Sequence, residues 1–308
     1  MSMSIAVKKH RKKASFIRKT PGEKVFDTFN SIVLGLMALS MLYPFWYLFA
    51  LSLADAEKVA LSHVYIWPKV LTLESYETVL ASKYIWLGFM NTLIRTCGGT
   101  LISLVLCYSL SYVLSKRYYP NRSFWTGITV FTMFFSGGLI PEYLLIRDLG
   151  MINSLWSLML PTAINAYHIV IMRNFLMSLP ESLEESAHLD GANDIIILYR
   201  IILPLSMPII ATIGLWTAVA HWNAWFDGMI YIQTPEKQVL QVTLRRVVLE
   251  GASSLVPLSG EEVSSKASLT TETIKAATVM VATLPILFVY PFIQKYFVKG
   301  IMIGSLKG

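Results

Sequence analysis

Six stretches of this chain stay apolar for close to the length that a helix needs to cross a bilayer, near 28–51, 87–115, 123–146, 155–178, 205–231 and 274–297; that length is about 20 residues. Inside lipid only helices and closed barrels pair every backbone amide and carbonyl, and these runs lack the alternation and short length of barrel strands. The expected fold class is therefore an all-α membrane protein with six transmembrane helices. Composition points the same way, with 55% of the 308 residues hydrophobic and only 15% charged, too greasy for an ordinary soluble domain.

The net charge of +7 is not spread over a polar face but gathered beside apolar runs, which makes it a topology signal rather than a nucleic-acid footprint. The tail 1–26 holds eight lysines and arginines, whereas the loop after the first span has only Lys58, Lys69 and Lys83. Lys116, Arg117 and Arg122 then lie between spans two and three, and Lys295, Lys299 and Lys307 close the chain. This bias predicts a multi-pass protein of the plasma membrane with both termini cytoplasmic: a tail over 1–26, one six-helix domain over 27–298 and a tail over 299–308. The segment 232–273 reads as a long external loop, mobile around its Ser/Gly-rich stretch Gly251 to Gly260. Cys97 and Cys107 fall ten residues apart in one apolar run, about 15 Å along a helix, too far for a disulfide.

The most informative polar interruption is the cytoplasmic loop 178–204. Ser178 and Glu181, and again Ser182 and Glu185, have the spacing of a capping box and predict a helix start. Leu183, Ala187 and Asp190 would stand one above another on that helix, and Gly191 supplies freedom for a sharp turn, helped by a side-chain bond from Asp190. A second short helix with Ile195, Ile196, Leu198, Tyr199 and Ile202 then runs to Pro204. By physics alone this is either an amphipathic cytoplasmic hairpin or a docking element.

The pattern Glu185-Ser186-Ala187, Gly191, Ile201, Leu203, Pro204 resembles the loop of ABC importer permeases that forms a coupling helix in a cleft of the ATP-binding subunit, with Ser186 where alanine is usual. Asp190-Gly191-Ala192 has the form common among the sugar permeases. Met90-Asn91-Thr92, Met172-Arg173-Asn174-Phe175, Trp222-Asn223-Ala224-Trp225 and the tail Tyr296 to Gly308 are similar to carbohydrate permeases related to the shorter membrane subunit of the maltose importer. The likeness is greatest to those assigned to complex oligosaccharides and polysaccharide fragments.

The resemblance implies a type I ABC importer permease fold with a cytoplasmic coupling helix. It implies a second homologous permease, two cytosolic ATP-binding subunits, an extracytoplasmic solute-binding protein and an oligosaccharide substrate. ATPase contacts would fall on Glu185, Ser186, Ala187, Asp190, Gly191, Ala192 and Pro204, with a second contact at Gly304 and Ser305.

Polar residues inside a bundle are costly and invite a functional reading. Asn91, Asn165, Trp222, Asn223, Trp225 and Asp227 are candidates for the translocation pathway, with Arg95, His168, Trp216 and His221 beside them. Interhelical packing is the competing role for each.

No glycine is followed by lysine, so no phosphate-cradling P-loop exists in the chain. Neither metal spacing among the five histidines nor a nucleophile motif occurs. The expectation is a transport subunit that is not an enzyme, binds no cofactor and no metal, and leaves ATP and Mg to a partner ATPase. Two other readings stand beside it. One is an ion-coupled secondary transporter or channel, which usually has internal repeats and more spans; the other is an ABC permease for a non-sugar solute.

Overall fold

The computed structural model describes residues 20–55, 66–250, 272–285 and 287–288. Among them the chain is helical, with one isolated bridge between Ala54 and Leu71 and no sheet.

The N-terminal unit, up to Tyr47, is formed by most of α1 (Pro21–Ser52). Thr20 and Glu23 start it with a reciprocal capping box: Thr20 N–H donates to the Glu23 carboxylate at 2.7 Å, and Glu23 N–H to Thr20 Oγ1 at 3.3 Å. Pro21 follows as the first helical residue, where a missing N–H costs nothing. From Val25 to Trp46 its large apolar side chains are exposed on every side, the signature of a helix whose solvent is not water.

The second unit begins at Leu48 and is organised around α3 (Lys83–Ser115), entered from α2 (Glu74–Ala81). The buried face of α3 runs through Gly88, Thr92, Arg95, Gly99, Ser103, Cys107 and Ser111, while Leu93, Ile94, Leu101, Val105 and Leu106 are exposed. That is the inverse of a soluble helix. Small and polar residues let backbones approach and bond, and the apolar ones are left for lipid. A Cβ at Gly88 would stand 3.1 Å from Leu240 Cα, a tight fit against backbone, and one at Gly99 only 2.5 Å from His221 Nε2, so that the buried imidazole would have to move.

After α3 come α4 (Arg122–Phe134), α5 (Leu139–Asp148), α6 (Trp156–Met159), α7 (Ala166–Leu176), α8 (Ser182–Leu189), α9 (Asp194–Leu205), α10 (Met207–Asn223), α11 (Phe226–Tyr231) and α12 (Leu240–Glu250), followed by helical residues 272–285. α1 and α3 are each long and apolar enough to span a membrane unaided.

The stretches expected as continuous spans at 123–146, 155–178 and 205–231 are each broken instead. α4 and α5 meet at 110° across Ser136-Gly137-Gly138, where Gly138 has φ +88°. α6 and α7 are separated by the turn around Pro161, and Asn165 restarts the helix by accepting from His168 N–H at 3.2 Å. α10 stops at Asn223, with Ala224 extended before α11. α9 is itself wound wide over Ile197–Ile202 and lies 80° from α10.

Part of the segment read as a long external loop is helical. Residues 232–250 turn at Pro235–Lys237 and form α12, which lies on the first half of α3. Thr92 Oγ1 accepts from Leu240 N–H at 2.8 Å, and Asn91 Nδ2 donates to the carbonyls of Glu236 and Gln238 at 2.8 and 3.0 Å. The Ser/Gly-rich remainder of that loop up to residue 271, the tail 1–19, most of 286–297 and the tail with Gly304 and Ser305 lie outside the described residues.

Candidate functional site

α8 and the turn after it are built largely by the backbone. Gly191 takes φ +82°; its N–H donates to His188 O at 3.0 Å, and Ala192 N–H reaches Ala187 O at 3.0 Å. These paired bonds close a helix through a left-handed glycine, and Ala192 packs against the buried cluster that holds Ala187. The Asp190 side chain takes no part, contrary to expectation, because the backbone bond to His188 already satisfies the Gly191 amide. Neither predicted capping box forms: Glu181 precedes α8 in helical conformation without a side-chain cap, and Ser178 Oγ donates to Phe175 O. The side-chain cap in this region belongs to α9, where Asn193 Oδ1 accepts from Ile196 N–H at 2.9 Å.

One face of α8 is fastened to the bundle. Ala187 is buried with Ile197, Leu198 and Ile202 against the end of α3. Glu184 pairs with Lys116, which also lies 3.9 Å over the Tyr112 ring, and Glu181 meets Arg117 at 3.1 Å. A cleft of about 210 Å³ opens between these elements, lined by Lys116, Tyr118, Leu179, Glu184, Glu185 and His188 among others. The Tyr118 phenol there is pushed above its ordinary range, by dehydration first and then by the Asp194 and Glu184 carboxylates.

The other face is free. Glu185, which also lines the cleft, and Ser186 are exposed; Glu185 has no ion pair among the described residues, and Ser186 Oγ is tied back to Ser182 O at 2.8 Å. Leu189 is 89% exposed and Ile195 68%, so two large apolar side chains flank the turn uncovered.

The second concentration of polar groups lies at the break between α10 and α11. Arg95 is 1% exposed; it pairs with Asp227 in the first turn of α11 and donates to Ala224 O at 3.0 Å. One guanidinium thus serves the carbonyl of Ala224, just beyond the end of α10, and the carboxylate in the first turn of α11, as broken backbone in a membrane requires.

Of the pathway candidates, Asn91 and Asn165 are occupied by the structural bonds described above. Trp222 is buried edge-on to Phe89 at 5.9 Å. Trp225 lies beneath the Arg245 guanidinium at 3.9 Å, and Asn223 is exposed. Away from that break, Trp216 is stacked with Tyr167 at 6.4 Å and lies 6.3 Å from His168, whose Nδ1 is buried with no partner among the described residues. The candidates therefore do not form one cluster. They are divided among a packed core, a helix cap and two aromatic groups.

No family model matches the chain. Protein LplC of Bacillus subtilis is 39% identical over 292 residues, 95% of this chain and 98% of that protein. The polygalacturonan/rhamnogalacturonan transport system permease protein YtcP of the same organism is also 39% identical, over 92% of this chain and 99% of its own length. This chain belongs to the carbohydrate ABC transporter permeases. A solved bacterial ABC transporter involved in import of the acidic polysaccharide alginate superposes with a TM-score of 0.83, at 34% identity, over 91% of this permease and 99% of that chain.

The permease is an integral membrane, all-α transport subunit of an ABC importer. Its residues Tyr167, Lys116, Glu184, Asn193 and Arg245 carry geometry that the sequence did not single out as functional. Lys116 was legible only as one positive charge of a loop, and the pairing of Tyr167 with Trp216 only as two separate aromatics.

Proposed function

We propose that this permease is one of two membrane subunits that carry oligosaccharides across the plasma membrane, driven by two cytosolic ATPases and fed by an extracytoplasmic binding protein. In this reading the chain crosses the membrane six times with both termini inside, the broken helices counting with their continuations as single spans. ATP and Mg are bound on the partner ATPases.

α8 is the coupling helix. The observation that carries the reading is its two-sidedness: one face is clamped to α3 through Ala187 and the Glu184–Lys116 pair. The other offers Glu185, Ser186 and uncovered Leu189 beside a turn held stiff by backbone bonds. A lever needs such a pair of faces, one to receive force and one to pass it on.

The buried charges favour this reading over an ion-coupled carrier. Arg95 and Asp227 are spent on each other and on the end of α10, which leaves no free relay between them. Within the chain, exposed Asn223 and the Tyr167–Trp216 pair supply amide and aromatic surface of the kind that binds sugars. The oligosaccharide substrate is further supported by the polysaccharide transport named for two relatives.

The test is to purify the tagged permease in mild detergent from cells expressing its whole importer. An ATP-binding subunit should accompany it, and uptake of oligosaccharide should stop when ATP is depleted. Recovery without any ATPase, together with uptake insensitive to ATP, contradicts the proposal.

A further inference from the structure

We propose that Arg245 recognises carboxylates in the translocation path and selects for oligosaccharides that carry sugar acids. The inference rests on the oligosaccharide-importer reading and adds a residue and a charge preference to it.

Three cations stand on the segment that packs against the first half of α3. Lys237 donates to Asn153 O at 3.0 Å, and Arg246 donates to Gln238 Oε1 at 2.7 Å. Both are used in holding the segment together. Arg245 is exposed, has neither an ion pair nor a hydrogen bond among the described residues, and lies 3.9 Å above the Trp225 ring.

Stacking on an aromatic face fixes the plane of a guanidinium while leaving its edge donors free. That geometry suits a bidentate bond to a carboxylate. Trp225 is held in turn by packing into the core around Tyr231 and Val242, and by edge-on contact with Phe226 at 5.6 Å. The platform is therefore set before any ligand arrives.

Local charge supports the same conclusion. Asp227 is the one acid between residues 223 and 227, and Arg95 already neutralises it. Between residues 223 and 227, then, no free carboxylate competes for Arg245. Exposed Asn223, two residues before Trp225, adds an amide suited to sugar hydroxyls at the same interruption.

The experiment uses the complete importer in cells, with a short oligogalacturonate and its fully methyl-esterified, neutral form as probes. Each is supplied at saturating concentration so that delivery by the binding protein does not limit the rate. In Arg245→Gln the maximal uptake rate of the acid should fall about tenfold, the scale of one charge-assisted bidentate contact, while uptake of the ester stays unchanged. Arg245→Lys should lie between the two, because the charge remains and the fork is lost. Raising the salt from about 0.05 to about 0.5 M should slow acid uptake in the wild type more than in Arg245→Gln.

The proposal is overturned if Arg245→Gln slows both probes equally, or neither, with the permease present at wild-type level. It is also overturned if the wild-type importer takes up neutral oligosaccharides in an ATP-dependent way and no oligogalacturonate at all. That last result would leave the importer reading standing, whereas loss of ATP dependence would remove both.

Discussion

The chain changes direction at Gly191 and again at Ala224, and the two interruptions are held in opposite ways. At Gly191 the turn is local: bonds from Gly191 and Ala192 to His188 and Ala187 close it within a few residues, at the surface. At Ala224 the break is held from afar by Arg95, 129 residues earlier in the chain and almost fully buried. A turn closed by its own backbone bonds is stiff by itself, whereas a break inside the bundle depends on a neighbouring helix. The first should tolerate changes around it and fail only at its glycine. The second should fail when either end of a distant pair is altered.

Removing Arg95 should have the largest effect. In Arg95→Met, the partly buried Asp227 carboxylate and Ala224 O lose their partner, a change that costs at most the roughly 3–5 kcal/mol of a fully buried broken pair. Thermal unfolding in detergent should drop sharply, and Arg95→Met combined with Asp227→Asn should recover part of the loss. If the double variant is no more stable than the single one, the pair does not hold the break.

Gly191→Asp comes next. A side chain at φ +82° costs about 1–2 kcal/mol, a strain confined to the turn. The protein should insert at its normal level, yet ATP-driven uptake should fall at least about tenfold if the turn must keep its shape for coupling. Normal transport by this variant would remove the turn from the mechanism.

Glu184→Gln tests whether α8 is tied to α3. Because the pair is only partly buried, the stability loss should be about 1 kcal/mol or less. The informative readout is the ratio of sugar transported to ATP hydrolysed, which should decrease even though the ATPase still docks. An unchanged ratio would mean that Ala187 packing alone transmits the movement.

The smallest effect is expected at Asp190→Asn, since the turn is closed without that side chain. Uptake and unfolding temperature should both stay near wild type. A substantial loss of uptake with stability intact would assign Asp190 to the partner instead.

These two regions also divide what was readable in the residues from what was not. Gly191 is legible because its need for positive φ is a property of three or four neighbours. The apolar runs likewise mark α1 and α3, where hydropathy alone is sufficient. The breaks at Gly138, Pro161 and Ala224 were missed because apolar residues on both sides keep a long window hydrophobic across a bend. For Asn91 and Asn165 the residues leave pathway lining and structural bonding both open, because a sequence does not show which carbonyl or amide a side chain will find. The Arg95–Asp227 pair and the Arg245–Trp225 stack, bringing together residues far apart in the chain, carry no local signature at all. The capping boxes failed for the reverse reason: their spacing was present, but residues 178–181 were already used in ending α7 and turning into α8.

The central claim, that the free face of α8 meets an ATPase, is tested most directly by cross-linking. With Cys97 and Cys107 replaced, a single cysteine at position 186 in the complete importer should form a cross-link to the ATP-binding subunit, more readily in one nucleotide state than in another. A cysteine at 186 that remains fully accessible to water-soluble thiol reagents in every nucleotide state, and never joins the ATPase, would contradict the account.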